Sequence, residues 1–473
     1  MGQPHGTPAR ARGKKLLMTR PRRSEIASIL DLGVPIALTQ LAGMGFSMVD
    51  MAFVGRLGVE PLAGISIGNA IFNTLMIGSL GFLLGLDFLI SHAIGAGKQD
   101  EANSMLIQAL YVSTLLSIPL IAIMTWGSGW FEFFGIASGV AQQSQIYLRA
   151  LAWSLWPWLL FSSFRQYLQG MGVALPVLYI LIVANIINAL GNWLFVFGFD
   201  WKATIAAMPL QLRVAPMGIA GSALATGISR AFMFAALAAY TIAKSHRDGL
   251  GLLTAPLKFS LEKMRRLIRL GAPASGQLVL EVGVFATATL LAGRLGAAPL
   301  AAHQIVLQIA SFTFMVPLGL SSATAVRVAQ ALGAGNRSLA SRTGWISIGL
   351  SAGFMAFCGV MLLLFSKSLL GIFTSDSEVI RIGTGLVIIA GFFQLFDGAQ
   401  VVGSGVLRGI GNTRASFIAN LLGHWLLGLP IGAILCFWTG WGVHGLWLGL
   451  SAGLVFVAVT LIQTWRTINA PSR

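Results

Sequence analysis

Three carboxylates stand inside long apolar stretches of the chain, at Asp50, Glu281 and Asp397. An ionised side chain in the middle of a bilayer costs about 2.5–3.5 kcal/mol, so such groups usually face a bundle interior or a watery cavity. Burial favours the neutral acid, and a nearby cation favours the charged one. A carboxylate in this setting therefore either exchanges a proton, a metal cation or a cationic molecule, or forms a protonated hydrogen bond between helices.

Two asparagines, one further acid and one histidine extend this polar set. Asn188 and Asn192 are four residues apart and share one helical face, where they either support a carboxylate or join two helices. Asp87 lies nearer the end of its apolar stretch, where an acid binds a cation, caps a helix or reaches towards the membrane surface. His303 lies beside a stretch boundary, where a histidine most often packs without carrying a proton.

The elements that position these residues are membrane-spanning helices. Hydrophobic residues make up 56% of the 473-residue chain and charged residues 10%, with a mean hydropathy of +0.80, whereas soluble domains carry about 25% charged residues. Apolar runs of about 20 residues recur along the chain, which is the length that crosses a bilayer. We therefore predict an all-α polytopic membrane protein with about twelve transmembrane helices, near residues 26–54, 62–92, 105–126, 146–168, 175–199, 217–243, 267–291, 300–328, 343–365, 379–401, 415–438 and 443–465.

The net charge of +16 comes from basic residues in the N-terminal tail, in one central segment and in short connections. This placement is typical of cytoplasmic segments under the positive-inside rule and does not indicate nucleic-acid binding. Both termini of a multi-pass inner-membrane protein are therefore predicted in the cytoplasm. The first apolar run is too long for a cleaved signal peptide. Cys358 and Cys436 lie in apolar runs and indicate neither a disulfide framework nor a metal site.

An internal repeat divides the chain into two halves. GRLGVEPLAG matches GRLGAAPLAA at an offset of 238 residues, and the same offset pairs Gly81 with Gly319. A weaker match relates LQGMG from Leu168 to LRGIG from Leu407. Chance similarity between apolar segments does not keep one register across two spans and their connections.

Each half contains six predicted spans, an even number, so the two halves have the same orientation. They are expected to form two parallel lobes about a pseudo-twofold axis along the membrane normal, an architecture of transporters. The predicted domains are a basic cytoplasmic tail (1–25), an N-lobe (26–243), a cytoplasmic linker (244–266), a C-lobe (267–465) and a cytoplasmic C-terminus (466–473).

Five sequence blocks run through both lobes: FSMVDMAFVGRLGVEPLAG (46–64), GLDFLISHAIGAGK (85–98), INALGNWLFVFG (187–198), LVLEVGVFATATLLAGRLGAAPLAAHQI (278–305) and FDGAQVVGSGVLRGIGNT (396–413). In this order they resemble the multidrug and toxic compound extrusion (MATE) family. The resemblance covers nearly the whole chain after the basic tail. It implies a two-lobed transporter.

The resemblance also implies roles for the polar residues. Asp50 matches the acid of the first helix, supported by Asn188 and Asn192, and Glu281 and Asp397 match the acids of the seventh and tenth helices. In the family these acids are thought to engage the coupling cation or a cationic drug. We expect ion coupling or substrate binding at all five positions.

Three further positions follow from the same comparison. Asp87 resembles an acid found in part of the family, and His303 lies in a matching block. Phe393 stands where some sodium-coupled members have a tyrosine, four residues before the tenth-helix acid. Because phenylalanine lacks a hydroxyl group, this departure favours protons over sodium at that site.

These features predict secondary active efflux of small, cationic or amphipathic organic compounds by a monomer, in antiport with H⁺ or Na⁺. The chain has no nucleotide-binding motif, and one charge moving across 100 mV supplies about 2.3 kcal/mol. No catalytic residue, cofactor or metal ion beyond a transient Na⁺ is expected. One alternative is a lipid-linked saccharide flippase, which would need basic residues in its cavity. Another is an integral-membrane transferase enzyme, which would need a cluster of catalytic groups near one membrane face.

Overall fold

The computed structural model describes residues 24–126, 138–205 and 208–469, most of which are helical. A short 3₁₀ turn (Gly55–Leu57) follows the first helix, and a π-helical segment (Leu421–Gly428) joins α13 to α14. The elements in chain order are α1 (Glu25–Val54), α2 (Val59–Leu83), α3 (Gly85–Gly95), α4 (Gln99–Trp126), α5 (Ser138–Ala152), α6 (Leu155–Gly170), α7 (Leu175–Phe197), β1 (Phe199–Ile205), β2 (Met208–Val214), α8 (Ile219–Asp248), α9 (Leu261–Gly293), α10 (Ala297–Gly333), α11 (Arg337–Phe373), α12 (Ser377–Gly409), α13 (Thr413–Asn420), α14 (Leu429–Phe437) and α15 (Gly442–Ile468).

Within the described ranges, eleven helices are long and apolar enough to span a membrane. The predicted span at residues 146–168 corresponds instead to two shorter helices, α5 with 15 residues and α6 with 16. A turn at Trp153 and Ser154 separates them, and both pack against α8. The all-α polytopic fold is confirmed. One small addition is the antiparallel hairpin of β1 and β2 between α7 and α8.

Polar side chains determine where several helices begin. Ser24, Asn336, Asp376 and Asn412 each accept a hydrogen bond from a backbone N–H in the first turn that follows. These bonds satisfy donors that a helix leaves without an internal partner. At the other end of α8, Gly249 adopts a left-handed conformation with φ of 66° and terminates the helix.

Glycines bring the two halves of the chain into close contact at one end of the bundle. We call this end the basic face; it is formed by the first turns of α1 and α9 and the last turns of α3 and α10. A Cβ atom at Gly81 would lie 2.2 Å from Cα of Ser275, and one at Gly319 would lie 2.4 Å from the backbone nitrogen of Ala37. Helices in lipid associate through such close approach, since lipid provides no hydrophobic drive between them.

The contacts at the basic face follow the sequence repeat. Added Cβ atoms at Gly95 and Gly333 would each lie 2.1 Å from a backbone oxygen of the opposite half, that of Gln330 and that of His92 respectively. Each member of this second contact lies 238 residues from its counterpart in the first. The pseudo-twofold relation between the two halves is therefore visible in the packing, residue by residue.

Gly319→Val is expected to separate the halves at the basic face, because overpacking of this kind costs about 1–3 kcal/mol. The reporter is Ser275→Cys, at a position that is 7% exposed, in a chain whose Cys358 and Cys436 are replaced by alanine. We expect maleimide labelling of this cysteine to become about 5- to 100-fold faster in the Gly319→Val variant. Gly349→Val is the matched control, since a Cβ there meets nothing within 4 Å. Equal labelling rates in both variants would contradict the prediction.

Candidate ion-binding sites

The carboxylate of Asp50 is held by side chains from two neighbouring helices. Asp50 is 2% exposed and lies late in α1. Its Oδ1 accepts hydrogen bonds from Nδ2 of Asn192 at 2.7 Å and of Asn188 at 3.1 Å, both from α7. Its Oδ2 accepts a hydrogen bond from the hydroxyl of Thr226 on α8 at 2.7 Å. Three donors stabilise the ionised carboxylate, so the structure brings together three residues that the sequence singled out.

Two oxygen atoms of this group have no hydrogen-bond partner. Oδ1 of Asn188 and Oδ1 of Asn192 are buried and unpaired, since both amides direct their nitrogen towards Asp50. Carboxylate and amide oxygens are the ligands that hard cations prefer. A proton would instead convert the carboxylate to a neutral acid that donates a hydrogen bond. The group can therefore be neutralised in either way.

A half-buried arginine lies near the Asp50 group. Arg230 follows Thr226 by one turn of α8 and interacts electrostatically with Asp50. Its Nη1 donates a hydrogen bond to Oγ of Ser154 at 2.9 Å, and its guanidinium lies 4.2 Å from the ring centroid of Phe72. These contacts hold the cation in place by hydrogen bonding and by a cation–π interaction.

The second half of the chain contains a pair of carboxylates. Glu281 on α9 and Asp397 on α12 interact electrostatically, and Asp397 is 8% exposed. The side chains of Gln277 and Gln400 approach the Glu281 carboxylate. Nε2 of Gln277 also donates a hydrogen bond to Oγ of Ser404 at 3.2 Å, which links α9 to α12. Because two neighbouring buried anions repel each other, a proton or another cation between them is favourable.

His303 and Phe393 share one tryptophan as a neighbour. Nδ1 of His303 accepts a hydrogen bond from the indole of Trp447 at 3.0 Å, and its Nε2 is 2.9 Å from the hydroxyl of Thr289. The ring of Phe393 lies 5.7 Å from that of Trp447. With both ring nitrogens engaged, His303 fits the packing interpretation.

Asp87 forms an ion pair between the two halves of the chain. It lies on α3, is fully buried, and its Oδ2 accepts a hydrogen bond from Nε of Arg408 on α12 at 3.0 Å. Arg165 on α6, in the same half as Asp87, also interacts electrostatically with it. Oδ1 of Asp87 and Nε of Arg165 have no hydrogen-bond partner. Asp87 thus has one arginine neighbour in each half.

A family model described as MatE matches residues 35–194 and 273–434, one segment in each half of the chain. The chain belongs to the multidrug and toxic compound extrusion (MATE) family. As a MATE protein it is a multi-pass membrane transporter and not an enzyme, and it needs no cofactor.

Relatives of this MATE chain are named for multidrug resistance. A protein of Mesorhizobium japonicum named "Probable multidrug resistance protein NorM" is 35% identical over 453 residues, which cover 94% of each chain. A protein of the same name from Geobacillus kaustophilus is 30% identical and covers 95% of this chain and 97% of its own length. These similarities identify the chain as a multidrug efflux transporter of small organic substrates.

Solved MATE structures have the same fold. The eukaryotic MATE transporter AtDTX14 superposes with a TM-score of 0.82 at 22% identity, covering 94% of this chain and 96% of its own. A transporter from Pyrococcus furiosus, described as having a binding pocket of reverse polarity, has a TM-score of 0.82 at 18% identity and covers 94% and 96% of the two chains. At these identities the structures support the fold alone.

The sequence analysis of this MATE chain did not identify Thr226, Arg165 or Arg230 as site residues. Threonine is common in membrane helices, so Thr226 carries no signal by itself. Arg230 did carry one, because an arginine in the middle of an apolar helix is as costly as an acid. Arg165 was counted as part of a connection, although it lies within α6.

Proposed function

We propose that this MATE transporter exports small cationic or amphipathic organic compounds across the cell membrane in antiport with H⁺, or with Na⁺. The observation that carries the proposal is the buried Asp50 carboxylate, held by three donors beside two unpaired amide oxygens. Such an arrangement is costly when it is empty and charged, and it becomes stable when a cation neutralises it.

Coupling would arise because Asp50 binds its cation more strongly in one state of the transporter than in the other. A ligand shifts a conformational equilibrium only by its difference in affinity for the two states. Hydrogen bonds from α7 and α8 place the carboxylate under the control of two other helices of its half. Movement of either helix would change the number of donors and so the affinity for the cation.

The pair of Glu281 and Asp397 would be the second point of cation binding. Their mutual repulsion favours a state that contains one proton or one positively charged guest. Phe393 supplies no hydroxyl oxygen there, which favours a proton over sodium. A cationic substrate that approaches this pair would replace the coupling ion, and this competition is the basis of antiport.

The basic face would lie in the cytoplasm. Basic residues concentrate on the cytoplasmic side of membrane proteins, and residues of this kind at the basic face include Lys98, Arg266, Arg269, Arg337 and Arg414. The glycine contacts close this face, so the conformation would expose the substrate site to the outside. The lobes would be residues 26–243 and 267–465, as the repeat predicts, and the active unit would be a monomer.

Two ion pairs between the halves would stabilise the closed basic face. One joins Asp87 to Arg408, and the other joins Glu25 on α1 to Arg327 on α10, with Nη2 of Arg327 2.8 Å from Oε1 of Glu25. When the halves separate, Asp87 would lose Arg408 but keep Arg165 of its own half. A carboxylate with a neighbour of each kind remains compensated in both states, which lowers the barrier between them.

A lipid-linked saccharide flippase would need basic residues free to bind phosphate groups. The deep arginines here are already engaged: Arg408 pairs with Asp87, and Arg230 bonds Ser154 and stacks on Phe72. The acids outside these contacts, Asp50 above all, suit a cationic guest. The geometry therefore favours export of cations.

The decisive experiment uses the purified protein in liposomes with pH and sodium gradients imposed independently. Uptake of a fluorescent organic cation should follow one of the two gradients and should release the coupling ion in the opposite direction. The substrate should be recovered chemically unchanged. Uptake that depends on neither gradient would refute antiport.

Thr226→Val should change the ion dependence of transport more than it changes folding. The substitution keeps the side-chain shape but removes the donor to Oδ2 of Asp50, and a hydrogen bond to a charged group contributes about 1.5–3 kcal/mol. We expect the ion concentration for half-maximal uptake to shift by about tenfold or more. Thr226→Ser keeps the hydroxyl and should retain the wild-type value. Identical values for the valine and serine variants would disprove this role of Thr226.

A further inference from the structure

A pocket of about 310 Å³ opens at the basic face where the two halves meet. Phe88 of α3 contributes from the first half of the chain. Arg266, Arg269 and Leu270 of α9, together with Arg414 of α13, contribute from the second. No residue that lines the pocket is acidic, so its charge is strongly positive.

The arginines of this pocket have few partners of their own. Within the part of the chain that the structure describes, Arg269 and Arg414 take part in no ion pair, and both are exposed. Arg266 has one distant partner, Glu101, with 3.7 Å between Nη1 and Oε1. Guanidinium groups that converge without carboxylates are suited to bind the oxygen atoms of a phosphate.

A helix start adds to the positive potential of the pocket. α13 begins beside Asn412, whose side chain caps Ala415, and it continues through the π-helical segment into α14. The first N–H groups of a helix have no internal acceptors and point out of its end, where they favour an anion. Here they point to the same side as the side chain of Arg414 in the next turn. Three arginines and a helix start thus meet at one place.

Apolar groups border the charged ones. Phe88 and Leu270 line the pocket, and Leu261 and Ile268 on the outer side of α9 are 53% and 42% exposed. A soluble phosphate has no use for such a border, whereas a phospholipid presents a phosphate attached to acyl chains. Basic pockets between helices on the cytoplasmic side are suited to anionic headgroups.

The pocket exists only while the halves are in contact. Gly411, at φ of 77°, lies so close to Phe88 that a Cβ there would be 3.2 Å from the phenyl ring. Phe88 is therefore seated against the turn between α12 and α13. Separation of the halves would remove this wall from the arginines.

We propose that this pocket binds the phosphate headgroup of an anionic phospholipid and that binding stabilises the closed basic face. The inference does not depend on which ion drives transport. It assigns a lipid site to Arg269 and Arg414, with Arg266 beside them. The recognition is electrostatic at the headgroup and apolar beside Phe88, Leu261 and Ile268.

The test compares full-length protein in nanodiscs of phosphatidylcholine with and without phosphatidylglycerol of the same chain length. Native mass spectrometry measures retained lipid, and labelling of the Ser275→Cys probe measures closure of the basic face. We expect preferential retention of phosphatidylglycerol and slower labelling in its presence. Arg269→Gln combined with Arg414→Gln should weaken phosphatidylglycerol binding about 30-fold and abolish its effect on labelling.

The control variant combines Arg337→Gln with Arg342→Gln, which removes the same charge from exposed positions of α11 outside the pocket. It should bind phosphatidylglycerol as the wild type does. Equal weakening in both double variants would show a diffuse surface effect and overturn the proposal. So would inorganic phosphate at millimolar concentration, if it slowed labelling in pure phosphatidylcholine as much as phosphatidylglycerol does.

Discussion

Asp50→Asn is expected to abolish ion-driven uptake of organic cations while leaving a folded protein. The amide keeps the size of the side chain but removes the charge, so neither a proton nor a cation is exchanged at this position. Nδ2 of the new amide would also meet the donors of Asn188, Asn192 and Thr226 instead of accepting from them. We expect a loss of at least about tenfold in the rate of gradient-driven uptake, measured in inverted vesicles or proteoliposomes.

The control for this prediction is Asp100→Asn, the same substitution at an exposed position in the first turn of α4. It should transport at the wild-type rate. Binding of a fluorescent substrate to detergent-solubilised Asp50→Asn protein separates loss of coupling from loss of folding. Gradient-driven uptake by Asp50→Asn at the control rate would remove Asp50 from the coupling mechanism.

Asp87→Asn is expected to destabilise the protein strongly. It leaves Arg408 and Arg165 near each other, buried and without a carboxylate, and breaking a buried ion pair on one side costs about 3–5 kcal/mol. We expect a clear fall in the midpoint of thermal unfolding in detergent, together with faster labelling of the Ser275→Cys probe. The second effect follows because the ion pair joins the two halves.

Asp87→Asn combined with Arg408→Gln should recover part of the lost stability. Replacing both partners removes the uncompensated charge, and such double replacements are often close to neutral. The coupling energy from the double-mutant cycle should therefore be at least about 1 kcal/mol. Arg342→Gln, at an exposed position of α11, should give no coupling with Asp87→Asn. Strictly additive effects of Asp87→Asn and Arg408→Gln would mean that the pair makes no contribution of its own.

Much of the fold is readable from the sequence because lipid makes simple demands. Long apolar runs mark the spans, since every backbone polar group in a bilayer must be satisfied within a helix. The start predicted for the first span, residue 26, is one residue from the observed start of α1 at Glu25. The interruption at Trp153 and Ser154 was not predicted, because both flanking segments are apolar and a break there depends on packing against α8.

The polar groups were only partly predictable. Asp50, Asn188 and Asn192 stand out because charge and amides are rare in apolar helices, and helical spacing puts the two asparagines on one face. The pairing of Asp87 with Arg408 was not readable, because the two residues lie 321 positions apart and meet only when the two halves pack together. An acid shows its own cost in the sequence but does not show which partner offsets it.

The repeat also reveals where the molecule departs from symmetry. At the offset of 238 residues the counterpart of Asp87 is Ala325, and in the match of LQGMG with LRGIG the counterpart of Arg408 is Gln169. The ion pair therefore stands on one flank of the axis only, and the opposite flank has an alanine and an amide. Parting the charged flank requires water to reach an ion pair, whereas the other flank has only neutral surfaces to part. We expect the halves to swing apart like a door, with the charged flank as its bolt and the neutral flank as its hinge.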